Sequence, residues 1–328
     1  MKAIVCDRYG SPSVLILRDV EKPAPADDEV LVRVRASSIN SRDDRRMRAN
    51  PFFIRFMAGG LLRPRTRILG ADAAGTVEAV GASVRSFEVG DEVFGCLQRH
   101  QGQCFAEYAL AGEEEIVLKP PKLAFEQAAA VPLAALTALQ ALRTKGRLRP
   151  GEKVLILGAS GGVGSFAVQI AKALGGEVTA ACSGRNREAA LRLGASRAID
   201  YRETDFSREG KTYDLILAAN GCRSVDDCLR ALEPDGRLVV SGGAIRLVIQ
   251  AASRKRAMKG SGGKRIEILS LKQSREDLLL VKELLEEGKV LPLVDASFPL
   301  ERAADAFRLY EKDHARGKIV ITLESGPA

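Results

Sequence analysis

The stretch Lys153 to Ser165, KVLILGASGGVGS, has the residue types and spacing to hold a pyrophosphate. Ala159, Gly161 and Gly164 stand at the G-x-G-x-x-G spacing, with alanine in the first place. Small residues let the backbone turn tightly and approach a dinucleotide, while the first amides of the next helix meet the phosphate charge. The run Ala159, Ser160, Gly161, Gly162, Val163 and Gly164 is therefore a candidate cofactor loop. Glycine turns of this kind also occur in proteins that bind no nucleotide, so the surrounding elements decide.

Those elements alternate strand and helix for about 120 residues, the pattern of a parallel sheet wound on both faces. Val154 to Leu157 are a buried strand, and Phe166, Ile170, Ala171 and Leu174 fall at helical spacing before Gly175-Gly176. Strands are expected at Glu177 to Cys182, Ala198 to Tyr201, Tyr213 to Ala218, Arg237 to Ser241 and Arg265 to Leu271. Helices are expected at Glu188 to Leu193 and Val225 to Leu232. The fold class is α/β, with a doubly wound Rossmann domain over 121–289.

The flanks, 1–120 and 290–328, hold short strand signals such as Glu29 to Ala36 and Gly75 to Val80, with turns such as Gly90-Asp91. They read as an irregular β-barrel-like domain, completed by a helix around Glu301 to Tyr310 and a strand at Lys318 to Thr322. A cleft between two such domains is the expected place for an active site.

Cofactor choice is read at the end of the second Rossmann strand, about 20 residues past the glycines, where an Asp or Glu binds the ribose 2′-hydroxyl of NAD. Here Ser183-Gly184-Arg185-Asn186 stands instead, with no carboxylate before Glu188. A hydroxyl and a guanidinium bind a 2′-phosphate that a carboxylate would repel, which favours NADPH.

A chain of 328 residues with 46% hydrophobic content can bury two cores. No apolar run is long enough to span a bilayer, and MKAIVCDRYG reads as strand and turn instead of a signal peptide. Six cysteines without a regular framework suggest reduced thiols and a cytoplasmic protein. A formal charge of +8 attracts an anionic cofactor but is too small to imply nucleic acid.

Across nearly the whole chain, ordered blocks resemble the zinc-independent quinone oxidoreductase branch of the medium-chain dehydrogenase/reductase superfamily. They are MKAIVCDRYGSPSVLILRDVEKPAP, GADAAGTVEAVG, GDEVFG, FAEYAL, AAAVPLAALTALQAL, GASGGVGSFAVQIAKALG, LGASRAIDY and HARGKIVIT. The resemblance implies a GroES-like catalytic domain beside the Rossmann domain. It also implies NADPH-dependent hydride transfer to a quinone or to a double bond conjugated to a carbonyl, by a homodimer. Zinc-dependent relatives place ligands where this chain has Asn40, Ala71 and the stretch Val131 to Ala134, so no metal is expected. Cys96, His100 and Cys104 are a residual metal-like set, for which loop packing is the ordinary reading.

By the same resemblance, Asn40 and Thr137 should lie near the nicotinamide or substrate and act in catalysis. Gly242 and Gly243 should pass beside the ring, Asn220-Gly221 beside the adenosine ribose, and Ser183, Asn186 and Tyr201 at the 2′-phosphate, with Arg185 added on electrostatic grounds. Lys318, in the last block, joins the cofactor set. No side chain stands out as a proton donor, and a quinone needs none. Asp43 and Asp72 are expected to hold loops, and Asp44, Arg45 and Arg46 to be solvated charges, with steering of an anionic substrate by the two arginines as the alternative. An NADPH-binding module without catalysis and an alcohol or aldehyde dehydrogenase remain alternatives.

Two segments, 51–67 and 244–265, mix apolar and basic residues. Their ordinary reading is pocket lining and a mobile cofactor loop, although an amphipathic basic stretch can also bind an anionic membrane surface.

Overall fold

The computed structural model describes the chain apart from residues 58–59, 221–223, 243–244, 259–262, 313–315 and 324–328 and the side chains of Met57 and Ile245. It opens on an antiparallel hairpin, β1 (Lys2–Cys6) with β2 (Leu15–Asp19). β3 (Glu29–Ser38) follows, then α1 (Ser41–Arg48), α2 (Ile54–Met57), β4 (Asp72–Val80), β5 (Glu92–Cys96), β6 (Tyr108–Gly112), β7 (Ile116–Leu118) and α3 (Phe125–Ala129). α4 (Pro132–Leu139) continues into a π-helical stretch at Gln140–Lys145.

Six strands and four helices then read β8 (Lys153–Leu157), α5 (Gly162–Ala173), β9 (Glu177–Cys182), α6 (Arg187–Arg192), β10 (Arg197–Asp200), β11 (Tyr213–Ala218), α7 (Val225–Arg230), β12 (Leu232–Val240), α8 (Ile245–Ala257) and β13 (Arg265–Ile268). The chain closes with α9 (Arg275–Glu286), β14 (Val294–Pro299), α10 (Ala303–Lys312) and β15 (Lys318–Thr322).

Contacts divide these elements into two compact units. One holds Met1–Leu133, Gln273–Glu283 and Pro292–Ala328, and the other holds Ala134–Lys272 and Leu284–Leu291. The expected divisions at 120 and 290 therefore shift. The segment carrying α3 stays with the first unit because α3 packs on β3 and β4.

In the first unit, β14-β15-β3-β4-β5-β7 form one sheet, with β6 also paired to β3. β3 is long enough to carry two neighbours on one edge, β6 beside Glu29 to Arg33 and β15 beside Ala36 to Ser38. Val30, Val32 and Val34 alternate into a core with Ile319, Ile321 and the edge-to-face rings of Phe105 and Phe307, 5.9 Å apart. Lys318 is thus brought by β15 to the end of β3, next to the start of α1.

In the second unit, β10-β9-β8-β11-β12-β13 run parallel, the 3-2-1-4-5-6 order of a Rossmann sheet. Leu155, Leu157, Ile216, Leu238 and Val240 fill one face. β12 starts five residues earlier than its apolar run suggests, because a register shift against β11 between Tyr213 and Leu215 absorbs Glu233 to Gly236. The strands' carboxyl ends converge beside the start of α5. Among the described residues, no helix is long and apolar enough to cross a membrane.

Candidate functional site

The glycine loop leaves β8 at Gly158, which takes φ +77° and sends its own amide to the Ala181 carbonyl. A Cβ there would fall 2.6 Å from the Asn220 carbonyl oxygen, so the turn glycine is Gly158 and the buried Ala159 merely follows it. Gly161 caps α5 in extended geometry. A Cβ on Gly164 would lie 2.0 Å from the Gly158 carbonyl oxygen, and its absence lets the first turn of α5 close on the loop. That turn leaves amides without helical acceptors, here those of Gly162, Val163 and Gly164, at the positive end of a twelve-residue helix. Ser160 and Val163 are half-buried on its rim.

At the end of β9, Ser183 and Asn186 are buried and joined, Asn186 Nδ2 donating to Ser183 Oγ at 3.1 Å. Asn186 Oδ1 is buried without a partner. The Tyr201 amide donates to the Cys182 carbonyl at 3.2 Å, which brings Tyr201 to the same turn. Arg185 is exposed beside it. Sequence reasoning missed Asp200: its carboxylate is buried at this turn, and a Cβ on Gly184 would sit 2.5 Å from Asp200 Oδ2. Its signal was strand pairing, since Asp200 stands opposite Cys182 across β10 and β9. Further along the sheet, Asn220 abuts Gly158, and a Cβ on Gly242 would meet the Ala219 carbonyl at 3.0 Å. Ser241 Oγ, beside Gly242, is buried and unpartnered. Gly221 and Gly243 lie outside the described residues. A side-chain-free cradle, open helix amides and two orphaned polar atoms at the strand ends fit a dinucleotide.

The first unit holds a buried polar cluster around Asn40 and Asp72. Asp72 is wholly buried, with Oδ2 accepting from Ser38 Oγ at 2.8 Å and Asn40 Nδ2 at 2.9 Å, and Oδ1 from the Leu133 amide at 2.9 Å. Asn40 Nδ2 also donates to the Ser38 carbonyl at 3.2 Å. Lys318 Nζ donates to Asn40 Oδ1 and, at 3.0 Å, to the Ile39 carbonyl, with Asp72 Oδ2 3.6 Å away. Burial pulls the Lys318 pKa below its ordinary value, while Asp72 and Asp43 oppose the drop. Lys318, expected with the cofactor loop, thus has its ammonium engaged inside the first unit. Asn40 has both amide hydrogens and one lone pair committed, and the second Oδ1 lone pair is what it can offer a ligand.

Asn40 is also the N-cap of α1, where Asp43 Oδ2 accepts from the Asn40 amide at 2.9 Å and Asp43 Oδ1 from the Gly70 amide at 3.2 Å. Burial pushes the Asp43 carboxyl up. Arg46 departs from the expected solvated charge: its guanidinium donates to the Gln101 carbonyl and Oε1, both at 2.7 Å. It thereby ties down a turn in which Gln101, Gly102 and Gln103 all have positive φ. Thr137 is buried in α4, in the second unit.

A catalytic zinc does not fit these residues. Its three side-chain positions present a neutral amide whose Oδ1 already holds the Lys318 ammonium, the Ala71 methyl and the apolar stretch Val131 to Ala134. Cys96 and Cys104 are buried, and burial, reinforced by Asp72, pushes both thiols up and away from the thiolate a metal requires. His100 Nε2 faces Glu29 Oε1 at 2.5 Å. Cys6, Cys96, Cys104, Cys182 and Cys228 are all buried thiols outside any disulfide.

Comparison with known proteins agrees with both units. Residues 26–133 match the alcohol dehydrogenase GroES-like domain and residues 193–321 the zinc-binding dehydrogenase family. The chain is 34% identical to the chloroplast envelope quinone oxidoreductase homolog of Arabidopsis thaliana, over 98% of each chain. It is 32% identical to the chloroplastic NADPH-dependent alkenal/one oxidoreductase of the same plant, over 98% of this chain and 79% of that one. The structure of the quinone oxidoreductase from Coxiella burnetii superposes with a TM-score of 0.86 at 31% identity, covering 99% of both chains. A Rossmann unit carried with a GroES-like unit defines a medium-chain dehydrogenase/reductase, an oxidoreductase class. Within that superfamily, the chain belongs to the quinone oxidoreductase family.

Proposed function

We propose that the protein transfers hydride from NADPH to a quinone or to a carbon–carbon double bond conjugated to a carbonyl, without a metal ion. The observation that carries this reading is the glycine cradle at α5 combined with the Ser183 to Asn186 turn, which has no carboxylate of its own and an orphaned Asn186 oxygen. The similar Arabidopsis thaliana protein is an NADPH-dependent alkenal/one oxidoreductase, which supports it.

When bound, the dinucleotide supplies the hydride. The chain's residues hold and orient it. Amides of Gly162, Val163 and Gly164 would meet the pyrophosphate, and Ser183, Arg185, Asn186 and Tyr201 the 2′-phosphate end. Asn220, Gly242 and Gly243 would border the ribose and ring. Asn40, through its remaining lone pair, would accept a hydrogen bond from a carboxamide N–H. Thr137 would donate its hydroxyl to the oxygen on which negative charge develops. Protons for a reduced quinone come from water. A cytoplasmic homodimer belongs to the same reading, and β13, with a single neighbour among the described residues, offers a sheet edge for it.

Two measurements test the proposal. NADPH oxidation is followed against a panel of quinones, enones and enals, and affinities for NADPH and NADH are compared. Turnover with at least one class and tighter NADPH are expected. NADH binding equally or more tightly overturns the cofactor assignment. No turnover with intact NADPH binding overturns the enzyme assignment.

A further inference from the structure

The segment between α1 and β4 carries no acidic residue from Pro51 to Ala71, yet includes four arginines and a run of large apolar residues. Folding does not bury that run. Phe52, Phe53, Phe56, Leu61 and Leu62 are 58%, 47%, 68%, 51% and 86% exposed. Isolated exposed apolar side chains are ordinary, but five within eleven residues are not.

Their outward placement is built. Arg55 lies over the rings of Tyr9 and Phe52, at 4.9 and 4.8 Å, and donates to the Leu61 carbonyl at 3.2 Å. Tyr9 Oη donates to the Gly60 carbonyl at 2.7 Å, and the Gly60 amide to the Arg55 carbonyl at 3.0 Å. A Cβ on Gly60 would collide with the Arg63 carbonyl oxygen at 1.8 Å, so the loop closes tightly behind its tips. Phe52 and Phe56 meet edge to face with centroids 6.2 Å apart.

Arginines follow the tips directly in the chain. Arg63 and Arg65 are exposed, and neither has an ion-pair partner among the described residues. Arg67 pairs with Asp7 at 3.3 Å, and Asp7 also holds Arg18 at 2.8 Å. Arg18, Arg65 and Arg67 line a shallow depression of about 450 Å³ whose one acid is Asp19. Counting Asp7 and Asp19 against the five arginines 18, 55, 63, 65 and 67 leaves this group of residues cationic.

We propose that this face docks the protein on an anionic lipid bilayer, with Phe52, Phe53, Phe56, Leu61 and Leu62 entering the acyl-chain boundary and the arginines meeting lipid phosphates. Apolar tips followed directly by the unpaired guanidinium groups of Arg63 and Arg65 match the layering of an interface, hydrocarbon below and phosphate above. A protein partner would need acidic and apolar groups set against this one shape. A bilayer needs only depth.

The test uses the full chain and flotation with vesicles of phosphatidylcholine alone or mixed with phosphatidylserine, at low and physiological salt. Binding to the mixed vesicles, weaker binding to the neutral ones and weakening by salt are expected. Phe52→Ala/Phe56→Ala should reduce mixed-vesicle binding by about tenfold or more, given the area each ring can bury. The chain has no tryptophan, so Phe56→Trp supplies a single reporter whose emission should shift blue on the mixed vesicles. Unshifted emission, or equal binding with and without phosphatidylserine, overturns the proposal. So does self-association lost in the double alanine variant without vesicle binding, which would make this face an interface between copies. A raised KM for a soluble quinone with vesicle binding unchanged would make it pocket lining and likewise overturn docking. The vesicle, emission and self-association outcomes do not depend on NADPH reactivity, so failure there leaves the proposed function standing.

Discussion

Lys318→Met removes an ammonium 3.6 Å from Asp72 Oδ2 while keeping most of the side chain's volume. At that separation and an effective dielectric of about 20, the attraction is worth about 5 kcal/mol. Two charge-assisted hydrogen bonds go with it, to Asn40 Oδ1 and the Ile39 carbonyl. Against these losses stands the relief of burying the ammonium, whose cost shows in the lowered Lys318 pKa. Breaking a buried pair by removing one partner costs about 3–5 kcal/mol, and a loss in that range is expected here because the Asp72 carboxyl stays buried without its cation.

The double variant Lys318→Met/Asp72→Asn has no stranded charge and should recover most of the loss. Urea unfolding of all four proteins, followed by circular dichroism, measures the coupling. Alkaline pH adds a second readout. Between the lowered folded pKa and the ordinary 10.5, the unfolded chain binds more protons at Lys318 than the folded chain does. Stability of the parent therefore gains from this group as pH rises through that window, and Lys318→Met lacks the gain. Additive losses in the double variant, or a single-variant loss below about 1 kcal/mol, would refute the pairing.

Three other outcomes follow from the second unit. Glu152 accepts two hydrogen bonds from Arg237, at 2.9 and 2.5 Å; burial raises its pKa, but Arg237 and the Arg149 amide more than reverse this, leaving it below 4.5. Its contribution is present above pH 4.5 and lost as pH falls through the folded value, so Glu152→Gln should flatten the acid limb of a thermal-midpoint profile and cost about 1–2 kcal/mol at neutral pH. Gly164→Ala forces a carbon against the Gly158 carbonyl, which should cost about 1–3 kcal/mol and weaken NADPH binding; a titration by nicotinamide fluorescence with parent affinity would contradict the cradle. Asp200→Asn removes a negative charge from the Ser183–Asn186 turn and should raise the NADPH-to-NADH affinity ratio several-fold, whereas an unchanged ratio would place the 2′-phosphate elsewhere.

The Rossmann unit was legible because its signals are local: apolar strands of four to six residues, a glycine turn, then a helix. Lys318 to Thr322 is a strand with the same bounds in sequence and structure. The first unit was less legible, since its order comes from pairings far apart in the chain. SRDDRRMR shows almost no apolar stripe, and α1 is announced only by Asn40 and Asp43 at capping-box spacing. Arg46 read as solvated because its partner, Gln101, sits in a left-handed turn that glutamine rarely adopts. The contact of Lys318 with Asn40 spans 278 positions and rests on β15 pairing with β3. No spacing rule reaches that far.

The lysine behind Asn40 also bears on how such a protein would be converted into a metalloenzyme. Restoring cysteine at position 40 and histidine at position 71 would supply two donors, but the first would meet the Lys318 ammonium where Oδ1 of Asn40 now does. That ammonium would attract the thiolate while repelling the incoming dication, so the two cations would compete for one sulfur. A designer would have to neutralise β15 as well as change the ligand positions, because a strand from the far end of the chain sets a cation against the first of them.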